Sequence, residues 1–273
     1  MAEAIIAGLL ARGHPASDII VAEPFEERTK ILREQYKISA YTNNNEALSN
    51  SGAIDVVLLA VKPQVTATAL KGIASDLQRI RPLVLSIVAG VRVADLERWI
   101  CGGSQQGAPG IPVVRLMPNT PALVGEGAAG MYATSNVNSK QRGQSEYIVK
   151  NIAKEFFWCD TEDGIDVVTA ISGSGPAYFF LILEAMEKAG IEMGLDRKMA
   201  SRLAAQTCLG AAKMALTTED DFATLRRKVT SPNGTTHAAI EAMKAAGVPE
   251  GIIKGCYACR DRSVELASEF GEE

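Results

Sequence analysis

Between about residue 18 and residue 119 the chain repeats one pattern. A short run that is apolar on both faces is followed by a segment with helical periodicity. "DIIVAE" leads to "PFEERTKILREQYK", "IDVVLLAVKP" to "QVTATALKGIASDLQ", and "LVLSIVAG" to "VADLERWI", before a last run, "VVRLMPN". A strand with no polar face must be covered on both sides, and parallel strands need a crossover between them. The alternation therefore predicts a parallel sheet with helices on both faces, a doubly wound α/β domain.

Past "FFWCDTEDGID" the strand signals end and long helical segments follow, "GPAYFFLILEAMEKAGIEMG" and "DRKMASRLAAQTCLGAAKMAL". The predicted division falls after Glu162, giving a dinucleotide-binding domain over 1–162 and an all-helical domain over 163–273. "CGGSQQGAPG", from Cys101 to Gly110, reads as a Gly-rich surface loop. Tyr178 to Leu183 is apolar almost all round the helix, and Ala204, Ala205, Gly210, Ala211, Ala212 and Ala215 make the next helix small-sided. Helices without a wide polar face are buried on more than one side. A well-packed monomeric core would satisfy this. A second subunit satisfies it better, so a homodimer, or a larger ring built from one, is expected.

The bulk numbers exclude some classes. A net charge of -4 carries no basic footprint, so no nucleic-acid partner is expected. No apolar run reaches the length of a membrane span and no secretory signal is visible, so no membrane partner is expected. Five cysteines at scattered spacings fit a reduced, cytoplasmic chain. Cys256 and Cys259 form a C-x-x-C with no second pair, which predicts two helix-face thiols and no metal site. His14 lies in a loop and carries no predicted role.

The opening stretch, "MAEAIIAGLLARGHPASDIIVAEP", reads as helix, loop and strand, with the helix at the first residue. In a doubly wound domain the first strand enters a turn, G-x-G-x-x-G/A, whose last position lies on the first helix. Ala2 suits that position and Met1 the one before it. Glu23 stands 21 positions after Ala2, at the end of the next strand, where the fingerprint places an acid for ribose hydroxyls. On this reading the sequence begins inside the fingerprint, and the strand and leading glycines belong upstream, to the detriment of cofactor affinity. The alternative is an ordinary helix start and a solvated acid beside Pro24.

"RLMPNTPALVGEGAAGMYA", "VTAISGSGPAYFF" and "LRRKVTSPNGTTHAAIEAM", with "LLAVKPQ" and "LSIVAG", occur in this order along the chain. Together they resemble the pyrroline-5-carboxylate reductase family, from Met1 to about Glu265. The resemblance implies a Rossmann-like domain followed by a helical dimerisation and substrate domain. It also implies reduction of 1-pyrroline-5-carboxylate to L-proline, the last step of proline biosynthesis, with NADP(H) or NAD(H). By the same resemblance Asn44, Ala60, Val61, Lys62 and Pro63 border the dinucleotide; Met1, Ala2 and Glu23 join them through the fingerprint, and Ala89 as the equivalent edge of the next strand. The run of three asparagines leaves the register of Asn44 open.

Thr235 and Thr236 meet the substrate by resemblance, Thr236 as the catalytic hydroxyl at the ring nitrogen. Glu219 matches a further substrate residue. From the residues themselves, Pro232, Asn233 and Gly234 make a turn and Thr235 or Thr236 caps the following helix, whose free N–H groups suit a carboxylate. Asn119 in "MPNTP" either serves the site or caps a turn, and His237 is either a general acid or an ordinary helix histidine. Glu23 favours NAD over NADP, because a 2′-phosphate beside a carboxylate is repelled, and Arg28 is placed to soften that preference. Two rivals remain. A β-hydroxyacid dehydrogenase-like enzyme requires a catalytic lysine in the interdomain helix, where Lys188 lies too far along. A truncated, non-catalytic subunit that assembles with full-length partners is the other.

Overall fold

The computed structural model describes residues 1–102 and 110–271. The interior of the expected loop from Cys101 to Gly110 therefore lies outside the described residues. The chain forms two compact units, residues 1–174 with 259–273, and residues 175–258. The compact units divide at Ser174/Gly175, because the helical turns after Glu162 pack on the sheet, and the C-terminal segment returns to the first unit.

In the first unit the order is α1 (Ala2–Ala11), β1 (Ile20–Ala22), α2 (Glu26–Tyr36), β2 (Ser39–Tyr41), α3 (Asn44–Ser49), β3 (Val56–Leu59), α4 (Pro63–Ile80), β4 (Leu83–Ser86), α5 (Val93–Cys101), β5 (Val113–Met117), β6 (Gly127–Ala133), α6 (Ser139–Val149), β7 (Ala153–Trp158) and α7 (Gly164–Val168). β1 and β2 pair in parallel as one small sheet; β3, β4, β5, β6 and β7 form a second in that order. β3, β4 and β5 are parallel neighbours, as the doubly apolar runs predict. Every residue of β4 and β5 is buried. α4 begins with Pro63 at its first position, where the missing N–H costs nothing. Its stripe of Leu70, Ile73 and Leu77 packs with Leu96, Trp99 and Ile100 of α5 over Val84. Each such leucine contributes about 1.5–3 kcal/mol by leaving water.

The sheet continues beyond the strand expected to be last. β6 runs antiparallel to β5, and β7 runs parallel to β6. β6 is hidden in the sequence because it is built of small residues, with a glycine at each of two crowded points. A Cβ on Gly127 would run into the carbonyl oxygen of Ile152, and one on Gly130 would lie 2.5 Å from Val168 Cγ2. Both glycines are there for close approach, which strand propensity does not register.

α7 runs into a π turn over Thr169–Gly173, closed by the Ser174 N–H donating to Thr169 O at 2.8 Å, and then into α8 (Gly175–Glu192). The helical run from Gly164 to Glu192 is long and apolar enough, by length and composition, to cross a membrane. This corrects the expectation that no such run exists, because the helix continues back from Gly175 through the π turn to Gly164. The second unit holds α8, α9 (Arg197–Leu216), α10 (Phe222–Lys228), α11 (Thr235–Ala245) and the first half of α12 (Val248–Gly271). α8 and α9 pack closely, with a Cβ on Gly190 falling 3.0 Å from that of Ala200. Phe179, Phe180, Leu181, Leu203, Met214 and Leu216 remain exposed on these two helices.

Candidate active site

The carboxyl ends of β1, β3 and β4 supply most of the residues singled out for the dinucleotide. This is the edge at which open α/β sheets bind ligands. Glu23 directly follows β1. Its N–H donates to Tyr41 O at 2.8 Å, its carbonyl accepts from Thr29 Oγ1 at 2.9 Å, and its Oε1 accepts from the Phe25 N–H at 3.2 Å. Ala60, Val61 and Lys62 follow β3 and are exposed. Lys62 is the residue that caps α4, and its carbonyl accepts from Thr66 Oγ1 at 3.0 Å, which fixes the turn. Ala89 is the exposed residue after β4, beside Gly90 at φ +68°. Met1 caps α1 without a side-chain hydrogen bond, and Ala2 is the first residue of that helix.

Among the three asparagines after β2, Asn43 is the helix cap. Its Oδ1 accepts from the N–H groups of Asn45 at 2.8 Å and Glu46 at 3.3 Å. Asn44 is the first residue of α3 and its side chain is exposed, free of that local duty.

The loop after β5 is rigid for a reason the sequence only half suggests. Asn119 is buried and caps no turn through its side chain. Its Nδ2 donates to Ser172 O at 3.1 Å, and its Oδ1 accepts from the Ala128 N–H at 3.0 Å. It thus ties the carboxyl end of β5 to the start of β6 and to the π turn. An added Cβ on Gly173 of that turn would rest 3.5 Å from Met117 Sδ. Such single π turns recur at functional sites. Behind this loop Arg115, buried in β5, donates to Glu162 at 2.8 Å, and Asp166 accepts from Arg92 at 3.1 Å and from Ser263 Oγ at 2.6 Å.

In the second unit the residues flank α10. Glu219 is exposed in the segment between α9 and α10, where Asp221 is the cap, accepting from the Thr224 N–H at 2.6 Å. After α10 the chain turns through Asn233, at φ +59°, into α11. Contrary to the expectation from sequence, neither threonine caps this helix. Gly234 is the cap residue, with no side-chain hydrogen bond, and Thr235 and Thr236 already lie within the first turn. The turn chemistry explains the shift: with Asn233 left-handed, the chain is already extended at Gly234, one residue earlier than the threonines. The result is a helix start whose N–H groups and two hydroxyls are not spent on capping. His237 follows on the same turn and is exposed. His14 lies 3.2 Å from the Tyr147 hydroxyl, and Cys259 Sγ lies 3.2 Å from Ser174 Oγ.

The edge fits a dinucleotide on the chemistry present. Exposed backbone follows three parallel strands, a lysine stands at one strand end and an acceptor carboxylate at another, and β5 ends in a braced loop.

The family model described as pyrroline-5-carboxylate reductase dimerisation matches residues 162–266, and the one described as NADP oxidoreductase, coenzyme F420-dependent, matches residues 1–90. The chain is 44% identical over 272 residues to the pyrroline-5-carboxylate reductase of Pseudomonas aeruginosa, covering 100% of this chain and 95% of that one. Among solved structures, a pyrroline-5-carboxylate reductase from Coxiella burnetii superposes with a TM-score of 0.86 at 35% identity, over 97% of this chain and 94% of that one. The Plasmodium falciparum pyrroline carboxylate reductase, solved with NADP bound, superposes with a TM-score of 0.83 at 26% identity, over 97% and 94%.

Proposed function

This chain belongs to the pyrroline-5-carboxylate reductase family, and we propose that the residues described above carry its reaction, the reduction of 1-pyrroline-5-carboxylate to L-proline with NAD(P)H. When bound, the reduced nicotinamide supplies the hydride that adds to the C=N carbon. The chain's own task is to orient two planar rings, hold a carboxylate and manage the charge on the ring nitrogen. Met1, Ala2, Glu23, Asn44, Ala60, Val61, Lys62, Pro63 and Ala89 hold the dinucleotide, Lys62 by offsetting phosphate charge and Glu23 by accepting from ribose hydroxyls.

The substrate carboxylate is held by the first turn of α11 and by Thr235, because the uncapped N–H groups and the positive helix end favour an anion. Thr236 Oγ1 hydrogen-bonds the ring nitrogen and steadies the proton there, which makes the carbon a better hydride acceptor. Glu219, exposed before α10, matches a further residue of the substrate site by resemblance. The observation that carries this reading is the helix start at Gly234, with two hydroxyls and several N–H groups left unspent in one turn.

We assign the dinucleotide to residues 1–162 and dimerisation and substrate binding to 163–273. The exposed apolar faces of α8 and α9 suit a second copy of the chain, as a homodimer or a ring of dimers, better than lipid, since they belong to the segment the dimerisation family model matches. The net charge of -4 argues against nucleic acid, and five cysteines at scattered spacings suit the cytoplasm. The test is direct. The purified protein given 1-pyrroline-5-carboxylate and either reduced dinucleotide is expected to oxidise the nicotinamide and release an equal amount of L-proline. No proline with either dinucleotide would refute the assignment.

A further inference from the structure

We propose that this enzyme selects NAD(H) over NADP(H), and that Glu3 and Tyr36 set the preference by withdrawing Arg28 from the position of the 2′-phosphate. The inference rests on the reductase reading given above.

The two dinucleotides differ by one phosphate ester, which carries close to two negative charges and no hydrogen-bond donor at neutral pH. In a doubly wound domain the adenosine ribose lies at the end of the strand that follows the first helix, here β1. Glu23 stands at that end and is fixed there through its N–H, its carbonyl and one carboxylate oxygen. A carboxylate held this way accepts from two ribose hydroxyls and repels a phosphate. Use of NADP(H) therefore needs a cation at the start of α2.

The cations of that helix are spoken for. Arg33 donates to the Ala40 carbonyl from both Nε, at 2.8 Å, and Nη2. Lys30 faces Glu34 at 3.9 Å, one turn further along. Arg28, the cation of the first turn, is ion-paired with Oε2 of Glu3 on α1. Glu3 is oriented toward it, because its other oxygen accepts from the Tyr36 hydroxyl at 2.8 Å. That hydrogen bond, and then the Arg28 contact, hold the Glu3 carboxyl below its ordinary pKa. Arg28 carries one charge, and it is committed to an acid 25 residues away rather than to the end of β1.

Binding of the oxidised dinucleotides, followed by isothermal titration without substrate, tests this in wild type, Glu3→Gln, Tyr36→Phe, Arg28→Ala and the Glu3→Gln/Arg28→Ala double variant. Both ligands are titrated on each protein, so any general damage to the fold cancels in the ratio of affinities. Wild type is expected to bind NAD+ about fivefold or more tighter than NADP+. Glu3→Gln is expected to raise the NADP+:NAD+ affinity ratio by about fivefold, the upper range of one partly exposed charge pair. Tyr36→Phe is expected to act in the same direction and less strongly. Adding Arg28→Ala to Glu3→Gln is expected to return the ratio to the wild-type value. Wild type binding NADP+ as tightly as NAD+, or a ratio unmoved by Glu3→Gln, overturns the proposal. Failure of both dinucleotides to bind overturns it together with the reductase reading, whereas proline formation with NADH at an equal affinity ratio overturns the selectivity alone.

Discussion

Gly130 offers the sharpest single test of how the sheet is packed. It lies in β6, opposite Met117 of β5, and its backbone is in the ordinary strand region, so alanine meets no dihedral penalty there. The difficulty is space. An added Cβ would lie 2.5 Å from Cγ2, 2.8 Å from Cγ1 and 3.0 Å from Cβ of Val168. A valine fixed in a helix has one preferred rotamer and cannot swing its methyls away. Overpacking of this kind costs about 1–3 kcal/mol, and the smaller chain entropy of the unfolded alanine variant returns about 0.4–1 kcal/mol.

Gly130→Ala is therefore expected to lose about 1–2 kcal/mol in urea unfolding at fixed protein concentration, with an unchanged m-value. Val168→Ala removes both methyls nearest the new carbon. The double variant should then be more stable than the sum of the two single losses by about 1 kcal/mol, the coupling expected of residues in contact. Val168 leads directly into the π turn at Thr169, so Gly130→Ala should also lower kcat while the double variant recovers part of it. A Gly130→Ala protein as stable as wild type, or losses that simply add, would show that the gap between β6 and α7 is looser than these distances require.

Three shorter tests follow from the other unit and from α1. Thr236→Ala should lower kcat/KM by about 1–3 kcal/mol of transition-state binding, the worth of one buried hydrogen bond, with unchanged affinity for the dinucleotide; wild-type steady-state kinetics would remove Thr236 from the site. Ala212→Glu places a charge on the small-sided α9 and should convert the oligomer to monomer in light scattering at micromolar concentration; a wild type that is itself monomeric would refute the interface. Glu3, whose carboxyl is held low chiefly by Tyr36, contributes stability that is present above its unfolded pKa and is lost as pH falls through the lower folded one. Glu3→Gln should therefore flatten the stability profile in the acid range below the ordinary glutamate value of 4.5, and an unchanged acid slope would refute the contact.

The parts of this molecule legible in its sequence are those with local causes. β3, β4 and β5 announce themselves as doubly apolar runs, and their ends are punctuated by Pro63, Gly90 and Pro118, so the residues of the ligand edge could be named in advance. β6 could not, because Gly127 and Gly130 answer to Ile152 and Val168 rather than to strand propensity. α6 carries a local signal of its own. Asn138 and Gln141 form a reciprocal capping box, with both hydrogen bonds at 3.0 Å. In the site, the helix start after "SPNG" was evident, and its register was wrong by one residue because Asn233 turns left-handed. Asn119 could be picked out as important but not understood, since its two partners lie 9 and 53 residues away. The Glu3–Arg28–Tyr36 contact had no signal at all, since three residues on two helices become neighbours only once both have packed.

The packing of α1 bears on how the protein breathes. A pair of three-residue parallel strands is too small to persist unaided. It is held through α1, whose Ile5 and Leu9 pack on the larger sheet with Leu83, Leu85 and Val114, while Ile6 and Leu10 pack with Leu32, Ile38 and Ala40 beside the small one. One helix thus packs on both sets of strands, and slackening of its contacts with Leu32, Ile38 and Ala40 loosens β1 and β2 before β4 or β5. In amide hydrogen exchange the Glu23 N–H, bonded to Tyr41, should be released by this local opening, while the Val84 N–H, bonded to Pro112 in the buried sheet, waits for global unfolding. The adenosine end of the ligand edge is then less protected than β4, and its exchange slows when a nucleotide binds.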